Sequence, residues 1–129
     1  MRTPPLIAVI DDDRSFRVAT DSLLRARGYA VHSYASAEEF LQSSQSDDAS
    51  CVITDVQMPG IGGLELQTVL RKRGSTVPMI FISAFADESA RERAMREGAI
   101  CFLSKASDAS HLIKCIETAL AAPDPPSNE

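Results

Sequence analysis

The amino-acid sequence predicts a doubly wound α/β domain, in which five parallel strands alternate with five helices. Three observations lead there. Five short apolar runs are separated by segments whose apolar residues recur at helical spacing. The runs lack the in–out alternation of a strand with one wet face, so they suit strands covered on both sides. Parallel strands joined this closely need right-handed crossovers, which set helices on both faces of the sheet.

The first run, Leu6–Ile10, stops at three aspartates. Over residues 14–27 the apolar positions Phe16, Ala19, Leu23 and Leu24 recur at helical spacing, and Gly28 supplies the stop. Ala30–Tyr34 reads as a more polar strand, nearer an edge. Ser36-Ala37-Glu38-Glu39 resembles a capping box that opens a helix through about Ser43. Residues 50–54 form the third strand, ending at Asp55, and 58–63 a glycine-rich loop. A helix carrying Leu64, Leu66, Val69 and Leu70 runs to Arg73. Residues 77–83 and 99–103 are the fourth and fifth strands, with a helix over 87–97 between them. Asp108 caps a last helix running to about Ala122. For five such units the flavodoxin-like strand order 2-1-3-4-5 is the default. The domain is expected to span residues 1–122, with 123–129 a Pro-rich disordered tail or the start of a linker.

A chain of 129 residues with 44% hydrophobic and 24% charged residues suits one soluble globular domain. The formal net charge of -5 argues against direct nucleic-acid contact and against binding to anionic membranes. The start, Met1-Arg2-Thr3-Pro4-Pro5, lacks the apolar body of a signal peptide, and no run is long enough to cross a bilayer. A cytoplasmic location is expected. The three cysteines, Cys51, Cys101 and Cys115, are read as reduced core residues, because two lie in apolar runs and the third on the inner side of a helix.

In a doubly wound sheet, ligands bind beyond the carboxyl ends of the strands. Asp11, Asp12 and Asp13 follow strand one, Asp55 ends strand three, Ser83 and Ala84 end strand four, and Ser104 and Lys105 end strand five. Gathered carboxylates repel one another unless a cation neutralises them, and a few oxygen ligands favour Mg2+. One carboxylate then serves as nucleophile toward phosphorus, with a lysine and a hydroxyl meeting the phosphoryl oxygens. Each residue also has a plainer reading. Asp13 suits a helix N-cap, a lone Asp a turn and a lone Lys the surface. Spacing alone leaves both readings open.

Four segments carry a resemblance: Val9-Ile10-Asp11-Asp12-Asp13, the run from Asp55 to Leu66 containing Asp-x-x-Met-Pro-Gly-x-x-Gly, Ile82-Ser83-Ala84, and Phe102-Leu103-Ser104-Lys105. Together they resemble the receiver domains of bacterial two-component response regulators, such as those of chemotaxis and nitrogen-fixation regulation, over roughly residues 6–122. The resemblance implies a phosphorylation-activated switch. It implies that Asp55 is the phosphoacceptor and that Mg2+ is held by Asp11, Asp12, Asp55 and the backbone carbonyl of Gln57. Ser83 and Lys105 would bind the phosphoryl group, and Ser83 and Phe102 would form the switch. Gln57, Ala84 and Phe85 stand where family members modulate hydrolysis of the aspartyl phosphate. The implied partners are a sensor histidine kinase as donor, and an output domain or second copy meeting the face of the fourth helix, fifth strand and fifth helix.

One departure bears on the site. Family members usually carry Lys-Pro with a cis bond, whereas this chain has Lys105-Ala106. A cis non-proline peptide costs roughly 2.5–4 kcal/mol, so a trans loop and a displaced Lys105 are expected. That departure favours an alternative, a pseudo-receiver acting as a phosphorylation-independent binding module. An aspartyl-phosphate phosphatase fits less well, since such enzymes want a second acid two residues after the nucleophile, where this chain has Gln57. The chain is expected to catalyse only its own phosphoryl acceptance and hydrolysis. The tail suits either a linker to a DNA-binding, transcription-regulating effector or the natural end of a stand-alone receiver.

Overall fold

The computed structural model describes residues 4–44, 46–85 and 87–121, so the expected tail at 123–129 and the boundary at 122 lie outside the described residues. Five strands alternate with five helices: β1 (Leu6–Ile10), α1 (Arg14–Ala26), β2 (Ala30–Tyr34), α2 (Ala37–Gln42), β3 (Cys51–Asp55), α3 (Gly63–Lys72), β4 (Met79–Ser83), α4 (Glu88–Arg96), β5 (Cys101–Ser104) and α5 (Ala109–Ala121). The strands are all parallel and lie in the order β2-β1-β3-β4-β5, as expected. No helix among the described residues is long and apolar enough to cross a membrane.

The period of two along each strand sorts the core into two layers. Ile7, Val9, Ile53, Ile80 and Ile82 face α1 and α5, where Leu24, Leu112, Ile113 and Ile116 close over them. Ala8, Ile10, Val52, Met79 and Phe81 face the other way, toward Phe40, Leu66, Leu70 and Ala94 of α2, α3 and α4. Both faces being covered explains why the runs show no polar alternation. Local caps set where the helices begin. Asp13 accepts a hydrogen bond from the Phe16 amide, Ser36 from Glu39 and Asp87 from Ala90.

Three expectations need correction. Strand β5 begins at Cys101 rather than at residue 99, because the Ala99 amide closes α4 onto the Ala94 carbonyl. The fourth strand begins at Met79 rather than at residue 77, because the Val77 carbonyl is taken by the Arg71 guanidinium at 3.1 Å. The three cysteines are not all reduced. Cys101 in β5 and Cys115 in α5 are joined by a disulfide, and Cys51 alone is free, buried in β3. The crossover from β5 folds α5 back over its own strand, and the two Cα atoms come within 6.3 Å, inside the span a disulfide bridges.

Candidate functional site

Parallel register collects the strand-end residues at one edge. Asp55 pairs with Ile82, and Ser83 pairs with Ser104, so the residue after each strand emerges beside its neighbours. Asp11 follows β1, and its amide still donates to the Tyr34 carbonyl at 3.1 Å. Asp11 and Asp55 are buried, at 1% and 7% exposure, whereas Asp12 is exposed.

Lys105 closes the cluster. Its Nζ lies 2.9 Å from Asp11 Oδ2 and 3.2 Å from Asp55 Oδ2, and 4.8 Å from the centre of the Phe16 ring. The Lys105–Ala106 peptide is trans, yet the ammonium is not displaced, contrary to expectation. The reason is local. Lys105 N donates to the Ser83 carbonyl, which continues the β4–β5 ladder by one residue, and Ser104 then turns the chain by accepting from Ala106 and Ser107.

Burial pushes the Asp11 carboxyl above the ordinary carboxylate range. The Lys105 hydrogen bond and the Asp13 amide pull it partly back, and the charge of Asp55 adds to the rise. For Lys105, burial pulls the ammonium pKa down, but its bond to Asp11 and the charges of Asp11 and Asp55 outweigh that, and the net shift is upward. Both effects describe one lysine serving two buried carboxylates.

Asp11, Asp12 and Asp55 each offer a carboxylate oxygen, and these oxygens lie within 4.8 Å of one another. The donor set is all oxygen, with two of its three acids buried, which fits a hard divalent cation. Gln57 is exposed, and its backbone N–H donates to Asp55 Oδ1 at 3.2 Å. Gly63 lets α3 start directly against Asp55, since any Cβ there would collide with the Asp55 carbonyl oxygen.

The remaining predicted residues lie at the end of β4, in the loop after it and in β5. The Ser83 hydroxyl donates to the Phe85 carbonyl at 2.9 Å and accepts from the Phe85 amide at 3.1 Å, so it is turned toward its own loop. Ala84 is exposed, and Phe85 is 66% exposed. Phe102 is half-buried, stacked on Phe81 at 6.2 Å between centroids. With Phe85, Glu88 and Arg91 it lines a cavity of about 170 Å³. Two supporting residues were not foreseen. Arg17 donates to the Asp11 carbonyl at 2.7 Å, and Glu38 accepts from the Ile61 amide at 3.1 Å, pinning the loop after Asp55. Arg17 carries only the local signal of a charge on the first helix. Glu38 lies 23 residues from Ile61 and carries none.

Comparison with known proteins agrees with this geometry. The family model described as "Response regulator receiver domain" matches residues 7–117. Nodulation protein W of Bradyrhizobium diazoefficiens is 41% identical over 103 residues, covering 80% of this chain and 45% of that protein. Transcriptional regulatory protein FixJ of Azorhizobium caulinodans is 38% identical over 114 residues, covering 88% of this chain and 54% of the relative. The chain thus spans about half the length of these curated relatives. The crystal structure of FixJ-N superposes with a TM-score of 0.84 at 28% identity, covering 96% of this chain and 99% of that one. Strand order, an acidic cluster at the carboxyl edge and the matched sequence agree, and the chain belongs to the response regulator receiver family.

Proposed function

We propose that this chain is a phosphorylation-activated signalling switch that accepts a phosphoryl group on Asp55 from a sensor histidine kinase. The observation that carries the reading is the site's charge arrangement: a buried Asp55 shares the Lys105 ammonium with Asp11, and Asp12 lies within reach. Mg2+ would be held by Asp11, Asp12, Asp55 and the Gln57 carbonyl, and when bound it supplies charge neutralisation for the phosphoryl oxygens. The Asp55 carboxylate adds to phosphorus, the donor's bond to phosphorus breaks, and the donor leaves with its electron pair. Lys105, paired with both Asp11 and Asp55, would turn to a phosphoryl oxygen as it forms. Outside this self-phosphorylation and the later hydrolysis, the chain has no catalytic role. Gln57, Ala84 and Phe85, exposed beside the site, would set how readily water reaches the aspartyl phosphate.

The Ser83 hydroxyl provides the relay. To bond a phosphoryl oxygen it must leave the Phe85 main chain, which frees the loop between β4 and α4. Phe102 borders the cavity next to that loop and can change position as the loop does. The altered face of α4, β5 and α5 would meet an output segment or a second copy. FixJ is by name a transcriptional regulatory protein and this chain covers about half of it, so control of transcription is the output we assign. The cytoplasm is the compartment that fits such a role. With Lys105 seated, no observation favours a phosphorylation-independent binding module.

The switch is tested by amide hydrogen exchange with and without beryllium trifluoride and Mg2+, the fluoride complex standing in for the phosphoryl group. Changed exchange at residues 83–85 and 101–105 is expected. Unchanged exchange there, with the complex shown to bind, would refute the relay.

A further inference from the structure

We infer that Cys101 and Cys115 form a thiol–disulfide exchange site whose oxidation state sets how firmly the loop carrying Lys105 is held. The inference rests on the role given to Lys105 above. Cys101 opens β5, and Cys115 lies on the buried face of α5, with the two sulfurs bonded. The bond closes a ring over a sequence separation of 14, and that ring contains both Phe102 and Lys105. Within it the turn is held by short-range contacts: Ala106 N to Ser104 Oγ at 3.0 Å and Ser107 N to the Ser104 carbonyl at 2.9 Å. Such local bonds are weak against solvent competition, and a covalent tie between the strand and the helix flanking the turn restricts its opening. The ammonium at the loop's start is the group that Asp11 and Asp55 share.

Exposure orders the three cysteines. Cys101 is partly exposed, Cys115 is 8% exposed and Cys51 is fully buried. Burial also pushes the Cys51 thiol up to about 12, which leaves it unreactive at neutral pH. The oxidant is a low-molecular-weight disulfide such as oxidised glutathione. The Cys101 thiolate attacks it, forming a mixed disulfide and releasing one thiolate. The Cys115 thiolate then displaces the second. Two protein thiols are oxidised, one small disulfide becomes two thiols, and the two protons pass to the released thiolates. Excess small thiol reverses both steps. In reducing compartments, cysteine pairs of this kind are characteristically transient and redox-sensing.

The test uses the full chain equilibrated in glutathione buffers of graded oxidation, acid-quenched, alkylated and mapped by mass spectrometry. Amide exchange over residues 104–108 and acetyl phosphate labelling with Mg2+ are followed in each buffer. We expect one reversible disulfide between Cys101 and Cys115, with Cys51 alkylated only after unfolding. Exchange should be at least ~3-fold slower in the oxidised form, and labelling faster. Cys115→Ala should form no ring in any buffer, and its Cys101, left without the displacing thiolate, should stop at the mixed disulfide. The wild-type comparison needs no variant, so a folding defect in Cys115→Ala leaves the test intact. No disulfide between these residues, or equal exchange in both forms, overturns the inference. Equal labelling in the two forms overturns it as well. Labelling absent in both forms refutes the phosphoacceptor reading instead, and the exchange comparison then decides the redox inference alone.

Discussion

Replacing Lys105 by Met keeps the stem over Phe16 and removes the one ammonium that serves both Asp11 and Asp55. At 2.9 and 3.2 Å, each attraction has a gross value of about 5 kcal/mol at an effective dielectric near 20. Removing the charge also relieves its own burial, and its side chain is 18% exposed. Breaking a buried pair costs about 3–5 kcal/mol, and partial exposure sets the expectation near the low end, about 3 kcal/mol at pH 7 without metal. Asp11 already has a raised pKa because it is buried, and losing Lys105 raises it further. The folded state then keeps a proton that the unfolded chain releases above its ordinary carboxylate value of 3.8, so stability falls as pH rises through that window. The deficit of Lys105→Met should therefore be largest at neutral pH and shrink as pH falls toward 4. Urea unfolding at pH 7 and pH 5, with and without Mg2+, measures this. The midpoint at pH 7 should drop by roughly 1–2 M for m values of ordinary size, and saturating Mg2+ should recover much of the loss. An unchanged metal-free midpoint, or a deficit indifferent to Mg2+, would refute the assignment of Lys105 as the resident countercharge.

Other perturbations test neighbouring parts of the account. Gly63→Ala drives a methyl group into the Asp55 carbonyl oxygen, so it should cost about 2–3 kcal/mol in urea unfolding and weaken Mg2+ binding; a neutral result would show that α3 can retreat from the site. Gln67 is fully buried between α3 and α4, with its Oε1 unpartnered and its Nε2 donating to the Ala94 carbonyl. Because that carbonyl also accepts from Ala99, Gln67→Met should stay within about 1 kcal/mol of wild type, and a loss of 3 kcal/mol would contradict this. Cys51, with its thiol pushed from 9.0 to about 12, keeps its proton when folded and loses it above 9.0 when unfolded. Its contribution makes stability fall with rising pH across that window, by up to about 1.4 kcal/mol per pH unit. Cys51→Ala should show a shallower alkaline slope than wild type, and parallel slopes would refute the effect.

What could be read from the sequence was local. Strand-end acids, the serine and the lysine are visible because a parallel sheet sends every carboxyl end to one edge, whatever the packing between helices. Strand order was the default for five such units, and the observed order β2-β1-β3-β4-β5 agrees with it. Element ends were less legible, since they depend on which partner takes a carbonyl or amide. Ala99 reads as strand by composition, yet its amide closes α4 onto the Ala94 carbonyl, and β5 starts two residues later. Contacts at long separation left no sequence signal. Glu38 on the loop after Asp55 and the Cys101–Cys115 pairing both depend on how helices seat against the sheet. Lys105 stays seated without the usual proline because a ladder bond from its amide to the Ser83 carbonyl holds the lysine backbone, a contact the residue types do not announce.

Whether Asp55 is the phosphoacceptor is decided by intact mass after incubation with acetyl phosphate. Wild type and Asp55→Asn are compared with and without Mg2+. One added phosphoryl group is expected in the wild-type protein, none without the metal and none in the variant. A folded, Mg2+-binding wild-type protein that gains no mass, or an Asp55→Asn protein that gains as much as wild type, would contradict that role for Asp55.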